Sequence, residues 1–275
     1  MRKAGRRPIL GHGACTAQPA AFRMFPPMTI WAISDLHLST SGAKPMEVFG
    51  DNWKGHAAKI SASWRRVVAP SDTVLVPGDI SWALRLEEAL PDLELVRSLP
   101  GRKILLRGNH DYWWKSLSKV RASLGEGCDA IQNDALETRE AVIAGTRGWL
   151  LPGDEFFVDG RDDSVLEREV ERLRTSLAAA AKLMGSSPCI PLVVMMHFPP
   201  SVSGGPTDFT RLISASGASV CIYGHLHGPV WPSDPDFELD GVRYRLASAD
   251  WLGFEPTRLE LYGPGRRTPD AGLPA

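Results

Sequence analysis

A single α/β domain is predicted by three features of the 275-residue chain. Eight short apolar runs of strand length recur from residue 29 onward, five segments of helical spacing lie among them, and no internal repeat or low-complexity linker divides the series. A 43% hydrophobic content is enough to furnish a proper core at this length.

In chain order, the runs predicted as strands are TIWAIS (29–34), TVLVP (73–77), KILL (103–106), AVIAG (141–145), PLVVMM (191–196), SVCIY (219–223), RYRLAS (243–248) and TRLELY (257–262), all rich in β-branched or aromatic residues. Helical spacing covers 54–69, 84–98, 114–124, 164–184 and 208–216. The clearest helix is DDSVLEREVERLRTSLAAAAKL, with charges laced along one side. Pro91 is expected to interrupt the second helix, because proline removes an N–H and clashes with the preceding turn. The Gly- and Pro-rich pieces 153–163, 198–206 and 231–236 read as surface loops.

Residues 1–27 read as a disordered extension, with Met24 and Met28 both plausible starts; the domain is expected over 28–265, with a tail over 266–275. The extension carries five basic residues and no acid, leaving a net charge of −6 from Met28 onward. No global field therefore favours nucleic acid or an acidic membrane, and an anionic substrate must be drawn by a local site. No apolar run reaches the roughly 18 to 20 residues of a membrane span. Cys15, Cys128, Cys189 and Cys221 show no CxxC spacing, a pattern that suits reduced thiols in a cytoplasmic protein.

The informative feature is the set of polar residues at the carboxyl end of each strand. After TIWAIS come Asp35 and His37; after TVLVP, Gly78 and Asp79; after KILLR, Gly108-Asn109-His110-Asp111; after VVMM, His197; after CIY, Gly224-His225-Leu226-His227. In open α/β sheets, loops at the carboxyl ends of strands converge on one crevice. Singly, a histidine after a strand is more often a satisfied surface or core group than a ligand. Five of the seven histidines occupy such ends, however, with only His12 and His56 elsewhere, and chance seldom produces that placement.

Imidazole mixed with carboxylate suits borderline divalent ions, here two of Mn, Fe or Zn, and the absence of thiolate ligands argues against a structural zinc knuckle. Asp79 is suited to bridge two ions, since one carboxylate has an oxygen for each. The glycines before Asp79, Asn109 and His225 permit close backbone approach. His225 and His227, two residues apart, would project to one side if the backbone stays extended.

The ordered set D-x-H, GD, GNHD, H and GHxH, each after a strand, resembles the calcineurin-like metallophosphoesterase superfamily. The segments SDLHLS, KPMEVFGDNW, PGDISWA, RGNHDYWW and AGTRGW are also similar to a bacterial branch of predicted phosphohydrolases. The resemblance implies a four-layer α/β/β/α sandwich of two mixed sheets. It implies a first ion held by Asp35, His37, Asp79 and His227 and a second by Asp79, Asn109, His197 and His225. His110 is implied to stand over the phosphoryl group, with Asp111 orienting it, and a metal-bridging hydroxide to be the nucleophile. The text GDISWA and GNHD departs from the GDxVDRG and GNHE of the protein phosphatases, so a phosphodiesterase or small-molecule phosphatase is expected instead.

For the substrate, Arg147 is a candidate to bind a phosphate oxygen, against a structural salt bridge. Trp113, with Trp82, Trp114 and Tyr112, is a candidate to stack or line a pocket, against core packing. Arg65-Arg66 and Arg172-Arg174 read as solvated helix faces. Two rival readings are a non-catalytic metal-site scaffold or interaction protein on the same fold, and a mononuclear hydrolase using part of the set. His110 favours catalysis, because a purely structural site has no need of it.

Overall fold

The computed structural model describes residues 28–40, 44–185, 190–228 and 234–261. The expected extension over 1–27, the tail over 266–275, Cys15 and Cys189 lie outside the described residues.

Two mixed sheets face each other. The first has the order β11-β1-β2-β3-β4, built from β1 (Ile30–Ala32), β2 (Thr73–Pro77), β3 (Arg102–Leu106), β4 (Cys128–Ile131) and β11 (Thr257–Leu259). The second has the order β5-β6-β7-β8-β10-β9, from β5 (Ala135–Glu137), β6 (Val142–Thr146), β7 (Leu192–Met196), β8 (Val220–Tyr223), β9 (Phe237–Leu239) and β10 (Val242–Leu246). β1, β2, β3 and β4 run parallel, as do β6, β7, β8 and β10, while β11, β5 and β9 pair antiparallel at the edges.

The central strands are buried on both faces, which explains their near-continuous apolar runs. Side chains of one parity, including Leu75, Ile104, Leu106, Ile143, Val193, Met195 and Ile222, fill the space between the sheets. Those of the other parity pack outward. Val74, Val76 and Leu105 meet Ile60 and Trp64 of α1 (His56–Val67) and Val96 of α2 (Leu86–Ser98). Val142, Val194 and Cys221 meet Leu173 and Leu177 of α4 (Asp163–Met184) and Phe209 and Ile213 of α5 (Asp208–Ala215). The short α3 (Leu117–Leu124) completes the helical layer on the first sheet. The layers are therefore α/β/β/α, as expected, and full burial of each such aliphatic side chain stabilises the fold by about 1.5–3 kcal/mol.

Pro91 does not interrupt α2, which runs unbroken from Leu86 to Ser98. The carbonyl that loses its helical partner belongs to exposed Glu87, where water can bond it, so the cost is small. The strands β4, β5 and β9 went unforeseen because they are three or four residues long and mix Asp, Glu and Ala into their apolar pattern. Arg172 is not simply a solvated face, since its guanidinium pairs with buried Glu169 at 2.6 Å.

Candidate active site

The carboxyl ends of β1, β2, β3, β7 and β8 come together where the two sheets meet. Ser34 N–H donates to the Ala247 carbonyl and Ala249 N–H to the Ser34 carbonyl, so the end of β1 is stitched to the segment after β10. Asp35 N–H donates to Gly78 O (3.1 Å) and His37 N–H to Asp79 O (2.9 Å), which carries the β1 and β2 loops forward as a pair. Gly224 N–H donates to His197 O (3.0 Å) and joins the β7 and β8 loops likewise.

Four side chains in these loops hold left-handed backbone: Asp35 (φ 55°), His37 (43°), Asp79 (53°) and His225 (73°). Such conformations are uncommon outside glycine and cluster at functional sites, because the surrounding structure must hold them. The same bend corrects the expected geometry of GHLH. With His225 left-handed, the segment is not extended and its two rings part: His227 Nε2 lies 3.1 Å from His37 Nε2, while His225 Nδ1 lies 3.1 Å from Asn109 Oδ1.

Two neighbouring groups of ligand atoms result. Asp35, His37, Asp79 and His227 each offer one atom within 4.8 Å of all the others. On the other side, His197 Nε2 is 2.5 Å from Asn109 Oδ1 and 3.5 Å from Asp79 Oδ2. Asp79 Oδ2 is also 3.7 Å from His37 Nε2, so this one oxygen faces both groups. It is buried and has no hydrogen-bond partner, although Oδ1 of the same carboxylate accepts the His110 N–H at 2.8 Å.

The glycine spacing is steric. A Cβ on Gly108 would stand 2.1 Å from Asp79 Oδ1, and one on Gly224 would stand 2.1 Å from Ser34 Oγ and 2.6 Å from Asp35 Oδ2. Only glycine lets these loops lie against the carboxylates.

Burial sets the charge states. It holds the rings of His197 and His225 at about 3 and that of His37 well below its ordinary value, with neighbouring imidazoles adding to the effect at His37 and His225. These rings are neutral, with lone pairs available. His197 Nδ1 faces the Pro77 carbonyl at 3.0 Å, which fixes the ring and leaves Nε2 for the centre. Burial, then the charges of Asp111 and Asp35, push Asp79 well above the usual carboxylate range. A buried carboxylate with an orphaned oxygen among neutral imidazoles is the donor set a borderline divalent cation takes, so these residues fit the expected metals.

His110 lies against Trp82 (4.4 Å between centroids, tilted) and near His37 (5.7 Å), and its Nδ1 has no hydrogen-bond partner. Asp111, expected to orient it, does something else. Oδ1 accepts the N–H groups of Ile80 (2.9 Å) and Ser81 (3.2 Å) and the Trp113 indole (3.0 Å), and Oδ2 accepts Gly108 N–H at 2.8 Å. The carboxylate braces the β2 and β3 loops, and the His110 ring is positioned by Trp82 instead.

Trp113 is also corrected. It is 1% exposed, packed in the core with Trp114 behind the β3 loop, and cannot meet a substrate. Arg147 is drawn toward Glu169 (3.3 Å) and lies over the Trp149 ring (4.6 Å), so the structural salt bridge is present; its charge still reaches Asp79. Sequence reasoning passed over Ser248, whose hydroxyl donates to Asp35 Oδ2 at 2.8 Å, although it ends the strand-like run RYRLAS and the strand-end pattern would have found it. It also passed over Arg107, which directly precedes Gly108 and has a buried Nε without a hydrogen-bond partner. His56, which follows no strand-like run, has Nε2 3.2 Å from the His37 carbonyl and braces the loop that carries His37.

The profile of the family described as calcineurin-like phosphoesterase matches residues 28–229. No curated protein matches the chain. Among solved structures, a phosphopantetheinyl hydrolase from Mycobacterium tuberculosis is similar at 20% identity and a TM-score of 0.49, over 84% of this chain and 95% of that one. A protein of unknown function from Aquifex aeolicus is similar at 17% identity and 0.46, over 84% and 96%. A Thermus thermophilus protein is similar at 13% identity and 0.49, over 85% and 98%.

Proposed function

From the premise that the chain belongs to the calcineurin-like phosphoesterase family and is a phosphoester hydrolase, we propose that it works with two divalent ions, Mn, Fe or Zn, and acts on phosphodiesters or small-molecule phosphomonoesters. The observation that carries the dinuclear reading is Asp79 Oδ2, buried, unpartnered and within 3.7 Å of the nearest ring nitrogen of each ligand group. Asp35, His37, Asp79 and His227 would hold one ion, and Asp79, Asn109, His197 and His225 the other. Ions held there would supply an activated water and neutralise charge on the phosphoryl oxygens.

The chain's own groups do the rest. Asp35 is kept in place by the His225 N–H and the Ser248 hydroxyl, and Asp79 by the His110 N–H. Burial, then the neighbouring His227, lowers His110 below its ordinary value, so the neutral ring is its resting form and offers a hydrogen bond to the ester. Arg147 supplies positive charge on the Asp79 side, where its guanidinium can also meet a phosphate oxygen. No helix among the described residues is long and apolar enough to cross a membrane. A cytoplasmic setting is supported by Cys128 and Cys221, both free and buried.

The test is hydrolysis of bis-p-nitrophenyl phosphate and p-nitrophenyl phosphate by metal-stripped protein titrated with Mn²⁺, Zn²⁺, Fe²⁺ or Mg²⁺. Activity returning at about two ions per chain and vanishing in Asp79→Asn supports the reading, and the ratio of the two rates chooses diester or monoester. Two bound ions with no hydrolysis of either ester would favour the scaffold reading.

A further inference from the structure

The two halves of the centre are walled differently. Around His197 the site is closed: His197 is fully buried, and Phe198, 3% exposed, lies 4.2 Å from the His225 ring. His110 and His227 are partly exposed, and aromatic rings form a rim beside them and the buried His37. Trp82 stacks on His37 (4.8 Å, 23° between planes), Phe49 stands edge-on to His227 at 5.8 Å, and Tyr112 stands edge-on to His110 at 6.0 Å. Trp82 is held in place by its indole N–H on Met46 Sδ at 3.1 Å and by the Lys44 ammonium 4.8 Å from its ring.

Phe49 and Tyr112 are 41% and 40% exposed, Val48 beside Phe49 is 76% exposed, and Leu84, two residues after Trp82, is 56% exposed. Four of the nine exposed large apolar side chains among the described residues thus belong to segments that frame this opening. Single exposed apolar residues are ordinary, but a group of them at the mouth of a polar centre marks a binding surface.

We propose that this lip binds the organic part of the substrate and that this part is an aryl or alkyl group attached to the ester oxygen, not a sugar or polyol. The proposal rests on the phosphohydrolase reading. A phosphoryl group held between the two ligand groups has its substituent emerge on the open side, past Phe49 and Tyr112. A polyol there would give up water mostly to apolar carbon, with few polar groups to bond in return, whereas an aryl or alkyl group leaves water favourably and a ring also gains edge-to-face contact.

The experiment is calorimetric titration of the Mn²⁺-loaded full chain with phenylphosphonate and methylphosphonate, which share one anionic head and are not hydrolysed. Phenylphosphonate is expected to bind about tenfold tighter. Phe49→Ala and Tyr112→Ala, changes at exposed positions that the fold tolerates, should each shrink that preference, and Leu90→Ala on the solvent side of α2 should keep it. Equal affinities for the two ligands would overturn the lip while leaving the phosphohydrolase reading in place. If neither phosphonate binds the loaded protein, the phosphohydrolase reading itself fails and the lip with it.

Discussion

The carboxylate of Asp111 accepts the Gly108 N–H at 2.8 Å, although the two residues lie in the same loop and Asp111 immediately succeeds the histidine it was expected to serve. With its other oxygen on Ile80 N–H and Ser81 N–H, Asp111 joins the loop that carries Asp79 to the loop that carries Asn109. An Asn at this position keeps the shape but presents an NH₂ to one set of donors. Asp111→Asn should therefore cost about 2 kcal/mol of stability, or roughly 4–8 °C in Tm for a domain of this size, and weaken metal binding. Calorimetry and metal analysis check it. An unchanged Tm would remove the brace.

His110 tests the separation of chemistry from metal holding. Its backbone N–H supports Asp79, but its ring packs on Trp82 and leaves Nδ1 without a hydrogen-bond partner. His110→Ala keeps the N–H, so metal content should stay the same while turnover falls by about 10²-fold or more. Loss of metal along with activity would make His110 structural.

Gly108 is limited by contact, not by backbone angle. The Cβ of an alanine would need to occupy space 2.1 Å from Asp79 Oδ1 and 2.3 Å from Asp79 N, both parts of the same candidate ligand. Gly108→Ala should displace the β3 loop, with metal-dependent activity falling by about 10²-fold or more. Gly205→Ala, where the new Cβ meets Ser203 Oγ at an ordinary 3.6 Å, should leave activity intact. Metal content and hydrolysis rate of the two variants decide the matter.

These three residues show how much was legible in the sequence. The central strands were, because burial on both faces writes itself as unbroken Val, Ile, Leu and Met, as in β2 and β7. The candidate ligands stand out for the same reason, because each lies within a few residues of the end of such a run. The edge strand β9 was not legible, since a three-residue FEL owes its form to pairing with β10. Neither was the work of Asp111: adjacency to His110 suggested contact, while the turn at 110–112 aims the carboxylate at the neighbouring loop. Trp113 and Tyr112 share one motif and point to opposite surroundings, core and solvent, and spacing alone cannot separate them.

The thiols offer a check on burial away from the centre. Burial pushes Cys128 above the ordinary thiol range and Cys221 much further. Both folded-state values are raised, so at about pH 8 the folded thiols stay protonated while unfolded ones are partly thiolate. Cys128 and Cys221 should resist iodoacetamide in native protein and react once it is unfolded, which mass spectrometry of the alkylated peptides measures. Rapid labelling of Cys221 in native protein would contradict its place in the core between β8 and α5.

Metal removal should destabilise the protein as well as silence it. Without a cation, Asp35 and Asp79 bring two carboxylates into a site where both are fully buried, and Asp79 Oδ2 has no donor. Coordination supplies the missing partner, and since the unfolded chain does not assemble the ligands, binding energy becomes folding energy. The Tm of chelator-treated protein should rise with added Mn²⁺, and the rise should level off near two equivalents if both ligand groups fill. Asp79→Asn discriminates further. Its amide can place an N–H toward His37 and His197, which relieves the orphaned oxygen but gives up the bridge. The metal-free variant should be at least as stable as metal-free parent protein, yet gain much less from Mn²⁺. A variant that is less stable without metal and gains as much with it would show that the unpartnered Asp79 oxygen is not what the cation satisfies.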